Sequence, residues 1–336
     1  MEKWRNKIVC GDCVKKLNAI DKPFVDLIFA DPPFNIGYKY DKYHDKKESN
    51  NYIAWTKDWM TVCKKVLKPT GSFYIAIGDD YAANIKIIAD ELGLFMRNWI
   101  IWHYTFGQQM QNKFSRSHTH ILYFVNNKNN FTFHDETVRI FSDRQTEYRD
   151  KRANPDGKLP DDVWDAYPRI CGTFDERTDF PCQMPEGLLA RIIRVSSNEG
   201  EWVLDPFSGS GTTAVVARKL NRIYTGIEIS ERYVKESRKR IKESKGLPVE
   251  GEGLPKWPTH ADHELKWLYH ENNVPDGRLR KNKMLLSLFA TRLNQRLRKT
   301  QHYTPDEILD RLEKLRKAGK LGPLRGETIQ KDGRQY

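Results

Sequence analysis

The order of apolar runs and turn signals predicts an α/β fold built on a largely parallel sheet, and two stretches carry that reading. Val25–Ala30 is a continuous apolar run rich in Val, Ile, Leu and Phe, the mark of a buried strand. It stops at Asp31-Pro32-Pro33-Phe34, because proline has no N–H to give to a ladder. Trp202–Asp205 is a second such run. It leads into the Gly/Ser turn 206–213, a helix over 214–220 and a third run, 223–227, ending at Glu228. Strand, turn, helix and strand in that order form a βαβ nucleotide-binding unit. Open sheets of this kind bind ligands at the carboxyl ends of their strands, where Asp31, Asp205 and Glu228 all stand.

Residues 7–12 give a short strand closed by Gly11-Asp12, and a helix spans 14–20. The polar and aromatic run 38–49 reads as a mobile loop after the Asp31 turn. Ile53, Trp55, Trp59, Met60, Val62, Val66 and Leu67 recur at helical spacing up to the stop signal Lys68-Pro69-Thr70-Gly71. A strand follows at 72–78, and a helix over 84–92 is closed by Gly93. Two β-rich runs, 97–104 and 118–125, flank a polar and aromatic segment. Periodicity is lost over 126–179, which is an insertion, either a recognition lobe or plain loop. A helix over 185–196 carries Leu188, Leu189, Ile192 and Ile193 on one face.

The expected organisation is a main domain over 1–245 with a recognition region at about 107–180. A Gly/Pro-rich linker at 246–258 and a basic helical region at 259–336 complete it. In that last region Thr304-Pro305-Asp306-Glu307 is a capping box with proline at the first helical position, and Ile308, Leu309, Leu312 and Leu315 form the apolar stripe. Between Gly277 and Pro305 there are eight Lys/Arg and no acid. That pattern fits either a helix whose polar face lies on phosphates or the solvated face of a small domain.

Over 336 residues the net charge is +12, which suggests an anionic partner, nucleic acid first, although a merely basic surface has the same balance. No apolar stretch is long enough to cross a membrane, and residues 1–6 lead straight into a strand rather than a secretory signal. Five cysteines in a chain of this length do not make a disulfide framework, so a reducing cytoplasm is expected. Cys10 and Cys13 have the spacing of a metal or redox pair. Cys171 and Cys182 lie too far apart to complete a zinc site, so no metal is expected.

The turn at 206–213 is open to three readings. A phosphate-binding loop needs Lys after its last glycine, where Thr212 stands. A dinucleotide site fits Gly209-x-Gly211-x-x-Ala214, but Asp205 would repel a pyrophosphate. S-adenosylmethionine has no phosphate and carries cationic groups that Asp205 favours. Glu228, placed 19 residues after Gly209, suits a ribose diol.

Asp31-Pro32-Pro33-Phe34 and Asp205-Pro206-Phe207-Ser208-Gly209-Ser210-Gly211-Thr212-Thr213, taken together, resemble the amino-methylating DNA methyltransferases. The catalytic motif precedes the cofactor loop, as in the beta class. The resemblance covers most of 7–245 and implies a circularly permuted Rossmann-like S-adenosylmethionine-dependent methyltransferase fold. By it, Asp12 and Cys13 sit by the cofactor's adenine, Phe207, Ser208, Ser210, Gly211, Thr212 and Thr213 line its methionine and sugar portions, and Glu228 holds the ribose. Gln183 and Pro185 match the segment before the cofactor loop, with Phe180 where many members have His. Residues 114–125 resemble the strand region that helps enclose the target base.

The chemistry then expected is methyl transfer to an exocyclic amino group of a flipped base in double-stranded DNA. Asp31 and the Pro32 carbonyl accept the amino hydrogens, Pro33 stiffens the turn, and Phe34 stacks on the base. An initial Asp favours adenine N6, with cytosine N4 the alternative. Tyr38, Phe114, Ser117 and His118 are candidates for the base pocket, and Arg278, Arg280, Lys281 and Lys283 for DNA contact. The resemblance also allows a homodimer and a cognate restriction endonuclease. Phe180-Pro181-Cys182-Gln183 resembles the nucleophile motif of cytosine carbon-5 methyltransferases, but it precedes the cofactor loop instead of following it. A packing role for Cys182 is therefore expected. A dehydrogenase and a catalytically silent DNA-binding protein are the readings from other classes.

Overall fold

The computed structural model describes all residues except 109–110, 149, 171–175, 245–256, 298–301, 326–329, 332–333 and 336. Most of the expected linker lies outside the described residues. No helix among those described is long and apolar enough to cross a membrane. The chain divides into two units, Met1–His134 with Asp161–Leu247, and Asp135–Pro160 with Pro248–Tyr336.

In chain order the elements are β1 (Lys7–Cys10), α1 (Cys13–Asn18), β2 (Val25–Ala30), α2 (Ser49–Val66), β3 (Leu67–Ile77), α3 (Asp79–Glu91), β4 (Phe95–Gln108) and β5 (Arg116–Val125). Then come α4 (Asp143–Thr146), β6 (Val163–Trp164), α5 (Glu186–Ser196), β7 (Trp202–Asp205), α6 (Thr212–Lys219), β8 (Ile223–Glu228) and α7 (Glu231–Glu243). The eight strands of the first unit lie in the order β1-β8-β7-β2-β3-β5-β4-β6. Pairing is parallel from β1 to β3, and β5 runs antiparallel to β3 and β4. β7 therefore sits beside β2 in mid-sheet although it comes late in the chain, which is the permuted Rossmann-like order.

Register does the positioning. Ile28 lies opposite Leu204, so the carboxyl ends of β2 and β7 bring Asp31 and Asp205 side by side. Asp205 pairs with Gly226, and Cys10 with Glu228, which places Glu228 beside Gly11 and Asp12. The one acid inside β2, Asp26, is buried because the Lys68 ammonium at 2.8 Å and the Trp202 N–H at 2.9 Å satisfy it. The strand expected at 72–78 begins earlier, at Leu67, because Leu67 pairs with Val25 across a register shift. Likewise β4 runs on to Gln108, well past the expected end, because β5 supplies ladder partners as far as Arg116.

Two further expectations are corrected. The run 38–49 is a tied strap. Lys39 bridges His44, and Asp45, 0% exposed, accepts the Asn35 N–H at 2.7 Å and the Ile36 N–H at 3.1 Å. The stretch 126–179 is not one insertion in the main domain. Asp135–Pro160 belongs to the second unit, while Val163–Trp164 returns to extend the sheet.

The second unit packs α8 (Thr259–Asn272), α9 (Asp276–Lys281), α10 (Lys283–Leu297) and α11 (Pro305–Lys317) around Leu268, Leu285, Phe289, Leu293 and Leu312. Phe141 from the 135–160 segment joins this core. The capping box holds, with Thr304 and Glu307 exchanging bonds at 3.3 and 2.9 Å. The basic run is not one phosphate-facing surface. Arg292 is buried, holding Asn272 Oδ1 and the Asp156 carbonyl, both at 2.9 Å, and buried Arg296 pairs with Glu271. Arg278 pairs with Glu147 at 2.7 Å and Arg280 with Glu313 at 3.4 Å, while Lys281 and Lys283 are exposed.

Candidate active site

A cavity of about 490 Å³ opens at the carboxyl edge of the first unit's sheet. Its volume is in the range of cofactor sites. Strand order sorts its lining. From β1, β8 and β7 come Gly11, Asp12, Cys13, the turn from Asp205 to Ser210, Thr212, Thr213, and Glu228 to Ser230. From β2, β4 and β5 come Asp31, Pro32, Pro33, Phe34, Trp102, Tyr104, His118 and Thr119.

On the first side the acids build the loop. Asp205 accepts the Phe207 N–H at 2.9 Å and the Thr213 hydroxyl at 2.6 Å, tying the two ends of the turn together. Burial raises its carboxyl to about 7, against the pull of those two bonds. Glu228 accepts the Gly209 N–H at 2.9 Å and the Ser230 N–H at 2.8 Å, so one carboxylate links the turn to the start of α7. Gly209 and Gly211 have positive φ, 46° and 75°. A Cβ at Gly209 would stand 2.6 Å from the Phe180 ring, so that ring closes directly over the turn. Gly211 does not line the cavity. It abuts Ser237 of α7, where a Cβ would fall 2.7 Å from the Ser237 Cβ, so its role is packing. Asp12 lines the cavity and also caps α1, accepting the Lys15 N–H at 2.9 Å.

On the second side Asp31 is the exception among these acids. It accepts no hydrogen bond among the described residues, and desolvation together with neighbouring Asp205 raises its carboxyl to about 8. The turn that holds it is braced from outside. The Tyr52 hydroxyl donates to the Pro33 carbonyl at 2.6 Å, and Asn35, at φ 61°, donates to the Tyr81 hydroxyl at 2.8 Å. Phe34 packs against the core and beside Gly78. Cys182 lines the cavity and bonds Tyr40 at 3.9 Å, which corrects the pure packing role expected of it. Burial, then Asp31, pushes its thiol up, opposite to what a nucleophilic cysteine needs.

Tyr38, Phe114 and Ser117 do not line the cavity, whereas His118 does. Several lining residues had no local signal: Tyr40 and Asp41 on the strap, Arg169 over the Tyr104 ring at 5.8 Å, and Ser230, which donates to Asp41 at 2.6 Å. Asp79, His118 and His120 converge as a metal site would. However, Trp99 Nε1 donates to His120 Nδ1 at 2.9 Å, which leaves the ring proton on Nε2 facing Asp79 at 3.2 Å. No lone pair is left there for an ion, and the Arg116 guanidinium holds the other Asp79 oxygen at 2.9 Å. The cluster is a brace that fixes Arg116 in the cavity wall.

The residues fit a cationic, sugar-bearing cofactor. Asp12, Asp31, Asp41, Asp205 and Glu228 make the cleft acidic in a chain of net charge +12. The buried Ser208 hydroxyl has no hydrogen-bond partner among the described residues, so a polar ligand would satisfy it.

Residues 25–239 match the DNA methylase family. The chain is 34% identical over 272 residues to the type II methyltransferase M.HpaI of Haemophilus parainfluenzae, covering 80% of this chain and 85% of that protein. It is 36% identical over 242 residues to the DNA adenine methyltransferase YhdJ of Escherichia coli K12, covering 70% and 82%. Among solved structures, the cytosine-N4-specific PvuII DNA methyltransferase shares the fold with a TM-score of 0.55 at 17% identity, over 80% of this chain and 95% of that one. With both motifs on adjacent strands of a permuted sheet, and with these matches, the chain belongs to the DNA methylase family of amino-methyltransferases.

Proposed function

We propose that this chain methylates the N6 amino group of adenine in double-stranded DNA, taking the base out of the helix into the cavity. The observation that carries this reading is Asp31, a carboxylate in the cavity wall that no donor among the described residues satisfies. The other cavity acids whose bonds are described spend their oxygens on the loop or on helix ends. An exocyclic amine has two N–H bonds to give. The Asp31 carboxylate and the Pro32 carbonyl accept them, drawing the nitrogen lone pair out of the ring and toward the methyl. S-adenosylmethionine would supply an electrophilic methyl on a sulfonium; as the N–C bond forms the S–C bond breaks to leave a neutral thioether, and the amine's surplus proton leaves afterwards. Asp12, Glu228 and the 205–213 turn hold the donor's polar parts, and Phe207, Phe180 and Tyr233 wall it. Phe34 lies against the base face.

Adenine is supported by the Asp that opens the catalytic tetrapeptide and by the name of the Escherichia coli relative. Cytosine N4 is the second reading, supported by the cytosine-N4 specificity of the PvuII enzyme. The type II name of the Haemophilus relative supports a cognate restriction endonuclease as a companion. Genomic DNA from cells expressing the chain, digested to nucleosides and separated by mass, tests the base. N6-methyladenine is expected, absent with Asp31→Ala. N4-methylcytosine in its place overturns the adenine assignment.

A further inference from the structure

Phe114 is 100% exposed, more than any other large hydrophobic side chain among the described residues. A single exposed phenylalanine is ordinary on a protein surface and asks for no partner by itself. Its place in the fold supplies one. It stands two residues before Arg116, at the turn end of the β4–β5 hairpin, within about 7 Å of chain from a residue of the cavity wall. Gly107, Arg116 and His118 of that hairpin line the cavity, and the Arg116 and Phe34 side chains both approach Gly78. Beside Phe114, Lys113 is exposed and makes no ion pair among the described residues, so its charge is open to a phosphate backbone, whereas Arg116 is held by Asp79 and Asp80.

We infer that Phe114 is a wedge that enters the DNA stack where the target base leaves it. The inference rests on the base-flipping reading above. A flipped base leaves one stacking position open, and apolar side chains fill such gaps in bent or opened duplexes. Phe34 and Phe114 then divide the work: one stacks on the extruded base, the other takes its former place. Phe114 is a positioning residue and touches no reacting atom.

The test compares Phe114→Ala, Phe114→Trp and the unaltered chain in single-turnover methylation. Two duplexes bearing the mapped site are used, one with the target paired and one with it opposite an abasic position. Phe114→Ala should slow transfer about 10–100-fold on the paired duplex, base–aromatic stacking being the term lost. It should come within about threefold of the unaltered chain on the duplex whose target is already unpaired. Phe114→Trp should stay within about threefold on both. S-adenosylmethionine affinity should be the same for all three, which reports folding. Equal rates for Phe114→Ala and the unaltered chain on the paired duplex overturn the wedge, as does an equal loss on both duplexes. If the unaltered chain transfers no methyl to either, the base-flipping reading itself fails, and the wedge with it.

Discussion

The two halves of the cavity solve opposite problems. Around β7 and β8 the acids are occupied: Asp205 ties the ends of its own turn, and Glu228 ties that turn to α7. Around β2 Asp31 is left without a donor among the described residues, and the work of holding its turn falls on Tyr52, Asn35 and Asp45. The first half is held together because its two acids, Asp205 and Glu228, take donors from the turn they build. The second leaves Asp31 open to a ligand, with no donor among the described residues, while the turn that carries it is bonded. That difference predicts which substitutions break chemistry and which break binding.

The largest effect belongs to Asp31. Asp31→Ala should lower the methyl-transfer rate by about a thousandfold or more, in line with the loss of a group acting on the reacting atom. Equilibrium dialysis should show S-adenosylmethionine bound within a few-fold of the unaltered chain. Full activity in the variant would remove the mechanism. The same residue carries a pH signature. With its carboxyl raised to about 8 in the folded chain, against about 3.9 unfolded, the folded state holds the extra proton between those values. Stability of the cofactor-free protein therefore falls as pH rises through that window. Asp31→Asn should melt higher than the unaltered chain at pH 8 and level with it near pH 4, a difference that calorimetry reads.

On the other half, Glu228→Ala should weaken S-adenosylmethionine binding by about a hundredfold, since it removes a charged hydrogen-bond partner and frees two backbone N–H groups at once. The rate at saturating cofactor should fall far less. A large drop in that rate with unchanged affinity would mean the halves are not divided as described.

These two halves also differ in how far they could be read from the chain. The 205–213 turn and Glu228 form one βαβ unit, whose geometry follows from strand, glycine and helix close together in sequence. Asp31–Phe34 was legible for the same reason, since two prolines after an apolar run leave the backbone few conformations. The braces around it were not. Asp45 sits in a charged run that resembles loop, and only the fold shows it buried under the Asn35 and Ile36 amides. Arg169 reaches the cavity by tertiary closure alone. Gly211 misled in the other direction, because a glycine in a cofactor motif can be there for the helix behind it.

Asp45→Ala therefore sharpens the comparison at intermediate strength. It leaves two amides of the catalytic turn without acceptors, so it should cost about 2–3 kcal/mol of stability. The transfer rate should drop about tenfold, with cofactor affinity kept, because a slightly misplaced Asp31 loses the alignment on which attack depends. Asp205→Asn acts on the boundary between the halves. Removing the Asp205 charge should shift the alkaline rise of kcat/KM, which reports the free enzyme, to lower pH, because that charge helps raise Asp31. An unmoved profile would show that another group sets the rise.

The smallest effect is expected at Cys182, and it decides between two chemistries. The thiol lines the cavity and lies near enough to Asp31 for its charge to be felt. Position alone would suit a nucleophile attacking a pyrimidine ring carbon. The electrostatics oppose it: burial and the Asp31 carboxylate both disfavour a thiolate, whereas a nucleophilic cysteine needs a cationic neighbour or a helix N-terminus. In such a reaction Asp31 would have no amine to activate, because the new bond forms at the ring carbon. Cys182→Ser keeps the hydrogen bond to Tyr40 within reach and should transfer methyl within about threefold of the unaltered rate. Denaturing gels should show no covalent adduct with DNA. An inactive Cys182→Ser enzyme, together with an adduct in the unaltered chain, would move the chemistry from the amine to the ring carbon. Asp31 would then be left as a half-buried acid that raises a neighbouring thiol, the opposite of what that route requires.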